Sequence, residues 1–327
     1  MTMRVLSGVQ PSGELHLGNY LAAMKQHIEA QNEHECFYFI ANYHSLTTVR
    51  DPQRLRELTR EVALGYLALG LDPQKASLFR QSDVPEVTEL AWILGTVTGK
   101  GLLERATSYK DKIARGLSPS MGLFCYPLLM AADILIYRSD LVPVGEDQVQ
   151  HIEMTQDMAT HFNTTYNCQV LKRPEPKLNE ASYVPGVDGQ KMSKSYNNAI
   201  DLFDTPKSTR KRIMSIKTDS TPVEAPKNPG ACNVFALYRL LATREEAEAM
   251  AERYRAGGLG YGEAKKALAD VFERVFGPAR QRREKLAADP DYVEDVLRTA
   301  AGRARAVARE VMEDVRQACG IVKAKDL

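Results

Sequence analysis

The chain lacks the spacing that holds structural metals. Its five cysteines, Cys36, Cys125, Cys168, Cys232 and Cys319, stand at least 43 residues apart and form no Cys-x-x-Cys. That argues against a zinc or iron–sulfur site and fits a reducing cytoplasm. No long apolar stretch precedes Pro11, so a secretory leader is not expected. The longest apolar stretch, Met121 to Tyr137, is interrupted by Pro127 and Asp133. It falls short of a membrane span and should be a buried helix instead, so no membrane partner is expected. Internal repeats and low-complexity tracts are missing as well.

What is present is an ordinary globular composition: 327 residues, 26% charged and 44% hydrophobic. Disordered and collagen-like classes are excluded, and the length suffices for two domains. Net charge is only +1, but residues 1–204 carry −5 and residues 205–327 carry +6. The basic part is the better candidate for touching a polyanion.

Apolar runs at Val5–Val9, Cys36–Ala41, Ala76–Phe79 and Leu141–Val144 predict short strands. Helical patterns begin near Tyr20, Pro52, Val84 and Glu146. Alternation of strand and helix predicts an α/β fold, a doubly wound parallel sheet with its ligand at the carboxyl ends of the strands. Asp51-Pro52 is a helix start, an N-cap followed by proline at the first helical position. Residues 100–137 read as a helical insertion, and residues from about Leu171 to Gln190 as a loop. The catalytic domain should span 1–204, and 205–327 should be an all-α domain.

Two short segments separated by 172 residues carry the chemistry. Pro11-Ser12-Gly13-Glu14-Leu15-His16-Leu17-Gly18-Asn19 follows a strand and opens a helix, a turn whose backbone can cradle phosphate. Lys191-Met192-Ser193-Lys194-Ser195 is a loop that brings two ammonium groups. A nucleotide-seating turn and a distant cationic loop suit a reaction at the α-phosphate of ATP.

This pairing resembles the HIGH and KMSKS signatures of class I aminoacyl-tRNA synthetases, with Asn19 in place of the last histidine. The string Pro143-Val144-Gly145-Glu146-Asp147-Gln148-Val149-Gln150-His151-Ile152-Glu153 is similar to that of the bacterial tryptophanyl family, and the similarity runs from Ser7 to the C-terminal helices. The resemblance implies a Rossmann-like catalytic domain, with ATP and Mg²⁺, L-tryptophan and tRNA(Trp) as ligands. It also implies a homodimer and no resident metal.

By that resemblance Gln10, Pro11, Ser12, Gly18 and Asn19 line the nucleotide site, and His16 contacts phosphate or ribose. Lys191 and Lys194 reach the β- and γ-phosphates, Ser195 adds a hydroxyl, and Met192 and Ser193 complete the loop. Lys112 is a further phosphate contact. Gly145, Glu146 and Asp147 meet the ATP ribose, Gln148 lies beside the amino acid, and Val184 approaches adenine through its backbone. Asp133 sits in an apolar run where an unpaired carboxylate is costly to bury, so something must donate to it. The resemblance makes that donor the indole N–H, with Leu6, His44, Tyr126, Met130, Val142 and Val144 around the ring or the amino-acid end. A plain alternative is an aspartate that caps a neighbouring backbone or pairs with Arg138. The tRNA grip is expected from the helical domain, through Lys207–Lys217 and the Arg280–Lys285 cluster.

Two positions depart from the family pattern. Leu6 stands where bacterial relatives often have phenylalanine, and Ala41-Asn42-Tyr43-His44 replaces a segment that usually holds an aspartate. Both point to extra room beside the indole unless Phe39 or Tyr43 fills it. Rival readings are a tyrosyl-tRNA synthetase, a tRNA-independent adenylyltransferase, and a binding protein that has kept the pocket.

Overall fold

The computed structural model describes residues 2–11, 13, 15–106, 109, 116, 119–178 and 183–321, without the Asp147 side chain. Five parallel strands form one sheet in the order β3-β2-β1-β4-β5. They are β1 (Arg4–Val9), β2 (Glu35–Ile40), β3 (Ala76–Arg80), β4 (Leu141–Val144) and β5 (Glu175–Leu178). Strand β2 is buried from Cys36 to Ile40, as expected of a central parallel strand covered on both faces. The order reverses between β1 and β4, and the carboxyl ends of these two strands open the crevice in which such sheets bind ligands.

One face of the sheet carries Val5, Tyr38, Ile40 and Leu78. Over it lie helix α1, which starts as Leu17–Asn19, passes through a π-helical stretch Tyr20–Met24 and ends as Lys25–Ala30, and α3 (Pro52–Leu69). Asp51 caps α3 through its side chain, which accepts from Gln53 N at 2.9 Å. Short α2 (Asn42–Ser45) leads into that cap. The opposite face carries Leu6, Phe37, Phe39 and Phe79. It is covered by α4 (Glu86–Val97), α5 (Lys100–Glu104), α6 (Met121–Leu135) and α7 (Val149–Thr165).

Beyond the sheet follow α8 (Pro206–Met214), α9 (Asn233–Leu241), α10 (Arg244–Ala256), α11 (Tyr261–Ala288) and α12 (Pro290–Cys319). Their packing does not follow the seam expected at residue 204. Ile213, Val234, Phe272 and Phe276 share one continuous apolar cluster with Val5 and Leu78. Helix α12 returns to the sheet, where Ala300, Ala304, Ala308, Val311 and Met312 join the cluster of the second face. The Arg303 guanidinium donates to the carbonyls of Pro73 at 2.7 Å and Ala76 at 3.3 Å, which closes the open edge of β3. The alanine stripe lets the helix approach closely, but nothing in its own sequence says which surface it meets.

Strand β5 corrects the loop expected from Leu171 to Gln190. Glu175-Pro176-Lys177-Leu178 pairs in parallel with Leu141–Val144. Proline and charge hide the strand from a pattern search, and both are tolerated because β5 is an edge strand.

Candidate active site

Strand β1 ends at Val9 and the chain turns through Gln10, Pro11 and Gly13 into α1; Ser12 lies outside the described residues. Gly13 has φ +131, a backbone region open to glycine and strained for other residues. His16 caps α1 reciprocally. Its Nδ1 accepts from Asn19 N at 3.3 Å, and Asn19 Oδ1 accepts from His16 N at 3.0 Å. The asparagine that replaces the family's last histidine therefore completes a capping box. Burial, and then the charge of Lys194, lower the His16 pKa to about 4, so the ring is neutral at working pH.

The second signature is stitched to the first by the chain that follows it. Leu17 N donates to Ile200 O at 2.9 Å and Leu202 N to Leu15 O at 3.0 Å, with an antiparallel bridge between His16 and Asp201. Lys194 thereby comes over the turn, its Nζ 3.4 Å from where a β-carbon on Gly13 would stand. A cavity of about 310 Å³ between the signatures is lined by Gln10, Gly18, Asn19, Val184, Lys191 and Met192, among others. Val184 is 4% exposed and its carbonyl accepts from Met192 N at 2.8 Å. Ser193 also lines this cavity and bonds Ser195 through their hydroxyls at 2.8 Å. Lys194 lines an adjoining cavity of about 500 Å³ with Lys211 and Arg212. Gly145 and Glu146 open the turn after β4, on the same rim but outside the lining of the first cavity. Lys112 lies outside the described residues.

The sequence gives no sign of what holds the signature loop. Asn198, 1% exposed, accepts from Ser193 N at 2.7 Å and donates to Asp188 at 2.8 Å and to the Lys191 carbonyl at 3.1 Å. Arg212 of α8 donates to the Ala199 carbonyl at 2.9 Å. These bonds fix both ends of the loop and leave Lys191 and Lys194 exposed between them.

Asp133 occupies a buried network. It is 1% exposed on α6, and Oδ2 meets His44 Nε2 at 2.9 Å. Gln81, just past β3, donates from Nε2 to both carboxylate oxygens at 2.8 Å. Burial pushes the Asp133 pKa up, and the bonds from His44 and Gln81 oppose that rise. The proposed partner Arg138 pairs with Glu310 and Asp314 of α12 instead. Tyr126 bonds His151 of α7 through its hydroxyl and lies edge-on to His44, ring centroids 6.3 Å apart. Val142 and Val144 are buried, and Met130 and Gln148 are partly buried. Gln81 could have been suspected on one ground only, its place at the carboxyl end of a strand.

Leu6 and Ala41, where extra room was expected, share one apolar cluster with Phe39. Both are buried, at 1% and 3% exposure. The Phe39 ring leans across to β1, its Cζ 2.4 Å from where a β-carbon on Gly8 would stand. Glycine at position 8 makes space for that ring.

The comparisons with known proteins agree with this geometry. A family model described as tRNA synthetases class I (W and Y) matches residues 1–277. A tryptophan–tRNA ligase of Rhodopirellula baltica is 54% identical over 319 residues, covering 98% of this chain and 100% of the relative. The chain belongs to this family, in its bacterial tryptophanyl branch. The synthetase is also 51% identical to a tryptophan–tRNA ligase of Fusobacterium nucleatum, over 98% of each chain. Tryptophanyl-tRNA synthetase from Campylobacter jejuni, solved with ADP and tryptophan, has a TM-score of 0.92 and 45% identity, covering 97% of this synthetase and 100% of that chain.

Three basic residues of the Arg280–Lys285 cluster expected to grip tRNA are engaged within the synthetase. Arg280 is held by Glu273, Arg282 donates to the Ala68 carbonyl at 2.7 Å, and Arg283 pairs with Glu61. These bonds clamp α11 to α3 or brace α11 itself. Among the described residues no three His, Cys, Asp or Glu side chains gather as metal ligands. Among the described residues no helix is long and apolar enough to cross a membrane.

Proposed function

We infer that the chain is a tryptophan–tRNA ligase. It joins L-tryptophan and ATP to give tryptophanyl-adenylate and pyrophosphate, then transfers the amino acid to tRNA(Trp). In the first step the amino-acid carboxylate attacks the α-phosphorus while the bond to pyrophosphate breaks. The nucleophile is already ionised, so positioning and charge stabilisation are what the enzyme supplies. The observation that carries this reading is the meeting of the two signatures over one cavity, with Lys194 above Gly13.

In this reading Gln10, Pro11, Ser12, Gly18, Asn19 and Val184 seat the nucleotide, and Gly145, Glu146 and Asp147 hold its ribose. Lys112, Lys191 and Lys194, with Ser195, take the phosphates, and Mg²⁺ would enter with ATP. Asp133 accepts the indole N–H, and Gln148 and Tyr126 serve the amino-acid end. Exposed Lys207 and Lys211 on α8, beside the cavity of Lys194 and Arg212, support a contact of the helical region with tRNA. The five free cysteines support a cytoplasmic setting.

The proposed assembly is a homodimer. Trp92 is 77% exposed, Met121 72% and Leu46 48%. Trp92 and Leu46 border an apolar cavity of about 990 Å³ with Ala91, Leu128 and Leu129, a surface for a second copy. Sedimentation with Trp92 emission as reporter checks it.

The deciding experiment is ATP–pyrophosphate exchange with each amino acid, followed by charging of total tRNA. Exchange driven by tryptophan is expected; exchange driven by tyrosine and not tryptophan overturns the reading.

A further inference from the structure

Gln81 is a buried amide with no catalytic atom, yet every polar group on its side chain faces the specificity carboxylate or its support. Its Oε1 accepts from Tyr43 N at 3.0 Å. That bond decides which way the amide faces: with the oxygen held by a backbone donor, the NH₂ group must point to Asp133. Among the described residues Oδ2 of Asp133 receives two donors, His44 and Gln81, and Oδ1 receives one, Gln81. A carboxylate has about four lone-pair sites, so Oδ1 keeps the greater capacity to accept another donor.

We propose that Gln81 is a positioning residue for amino-acid selection, holding Asp133 as an ionised acceptor with Oδ1 turned to the N–H of an indole side chain. The inference rests on reading Asp133 as the indole's acceptor. Selection depends on charge state. An ionised, buried Asp133 left without the indole donor is penalised, so rings lacking N–H are rejected. A protonated Asp133 carries its own hydrogen and loses most of that penalty. The groups around it leave few alternatives for keeping it ionised. His44 faces it from α2, Tyr137 from the turn just past α6, and Glu86 of α4 acts on the same Tyr137 while paired to Arg305 and Arg309 of α12. Tyr126 and His151 bond each other at the far side of His44.

The test compares adenylate formation from tryptophan and from β-(3-benzothienyl)alanine, which replaces the N–H by sulfur, between about pH 5.5 and pH 8. Gln81→Leu removes both donors. Its preference for tryptophan over the sulfur analogue should fall about tenfold or more, and kcat/KM for tryptophan should decline as pH falls and Asp133 takes up a proton. Gln81→Glu keeps the volume and the acceptor for Tyr43 N but sets two carboxyl groups face to face. Such a pair shares one proton, so kcat/KM should decline as pH rises, the opposite slope. If Gln81→Leu does not fold, Gln81→Glu carries the test by its slope and its analogue ratio. Variants that keep the wild-type ratio and pH profile, or that lose both substrates equally at every pH, overturn the proposal. Wild-type enzyme that activates the sulfur analogue as well as tryptophan overturns the reading of Asp133 beneath it.

Discussion

Lys191 and Lys194 stand exposed at the mouth of the site, whereas Asp133, His44 and Gln81 are only 1–8% exposed behind it. The two regions use charge in opposite ways. An exposed ammonium on a loop is screened and free to move, so its contribution is made when the phosphates arrive and charge develops. A buried carboxylate is unscreened and fixed by its donors, so in the proposed reading its contribution is made when a ring with the wrong edge enters. The rim should govern rate, and the buried network should govern choice.

The largest expected effect breaks that division at the rim. Lys194→Ala should slow single-turnover adenylate formation by about 3–4 kcal/mol, the range for removing one preorganised charge stabiliser, while the KM for ATP changes much less. A normal single-turnover rate by rapid quench removes Lys194 from the chemistry.

The next effect is on stability and comes from the core under the rim. His27 is fully buried against Tyr66 and Tyr38, and burial lowers its pKa to about 4. The unfolded chain takes up that proton near pH 6.5 and the folded chain does not. Stability is therefore complete above about pH 6.5 and is lost as pH falls towards 4, by about 3 kcal/mol in all. His16, nearer to solvent, titrates in the same window with a smaller share. Urea unfolding at a series of pH values measures the slope, and a flat profile between those limits contradicts the burial of His27.

Asp133→Ala tests the buried side of the comparison. It should cost about 2–3 kcal/mol in kcat/KM for tryptophan and reduce discrimination against phenylalanine. Unchanged selectivity makes Asp133 a structural residue and collapses the division between rate and choice.

The smallest effect concerns the wall of the pocket. Leu6→Phe with Ala41→Val adds volume against the Phe39 ring and should cost roughly 1–2 kcal/mol in kcat/KM for 5-substituted tryptophans relative to tryptophan. Adding Phe39→Val should restore tolerance. Equal discrimination in all three proteins shows that these positions do not shape the pocket.

How far the sequence could be read depended on the range of the interaction. Asp51-Pro52 announced a helix start because a cap acts over three residues. Strands β1 to β4 stood out as apolar runs, but β5 did not, since an edge strand can hold Pro176 and charge. Arg280, Arg282 and Arg283 read as a nucleic-acid patch because composition cannot distinguish a free cation from one held by Glu273, the Ala68 carbonyl or Glu61.

The sequence by itself determined the parallel α/β sheet, the two signature segments and the presence of a carboxylate at Asp133 that has to be given donors. All three follow from periodicity, turn chemistry and the cost of burying charge, which act along a few neighbouring residues. Only the tertiary structure decided who the donors are, His44 from 89 residues away and Gln81 from 52. It alone closed Leu15–Leu17 onto Ile200–Leu202 and returned α12 to the edge of β3. The partner of a buried group is whichever element packing brings within about 3 Å of it, and that is set by how whole faces fit together, which no local stretch of chain encodes.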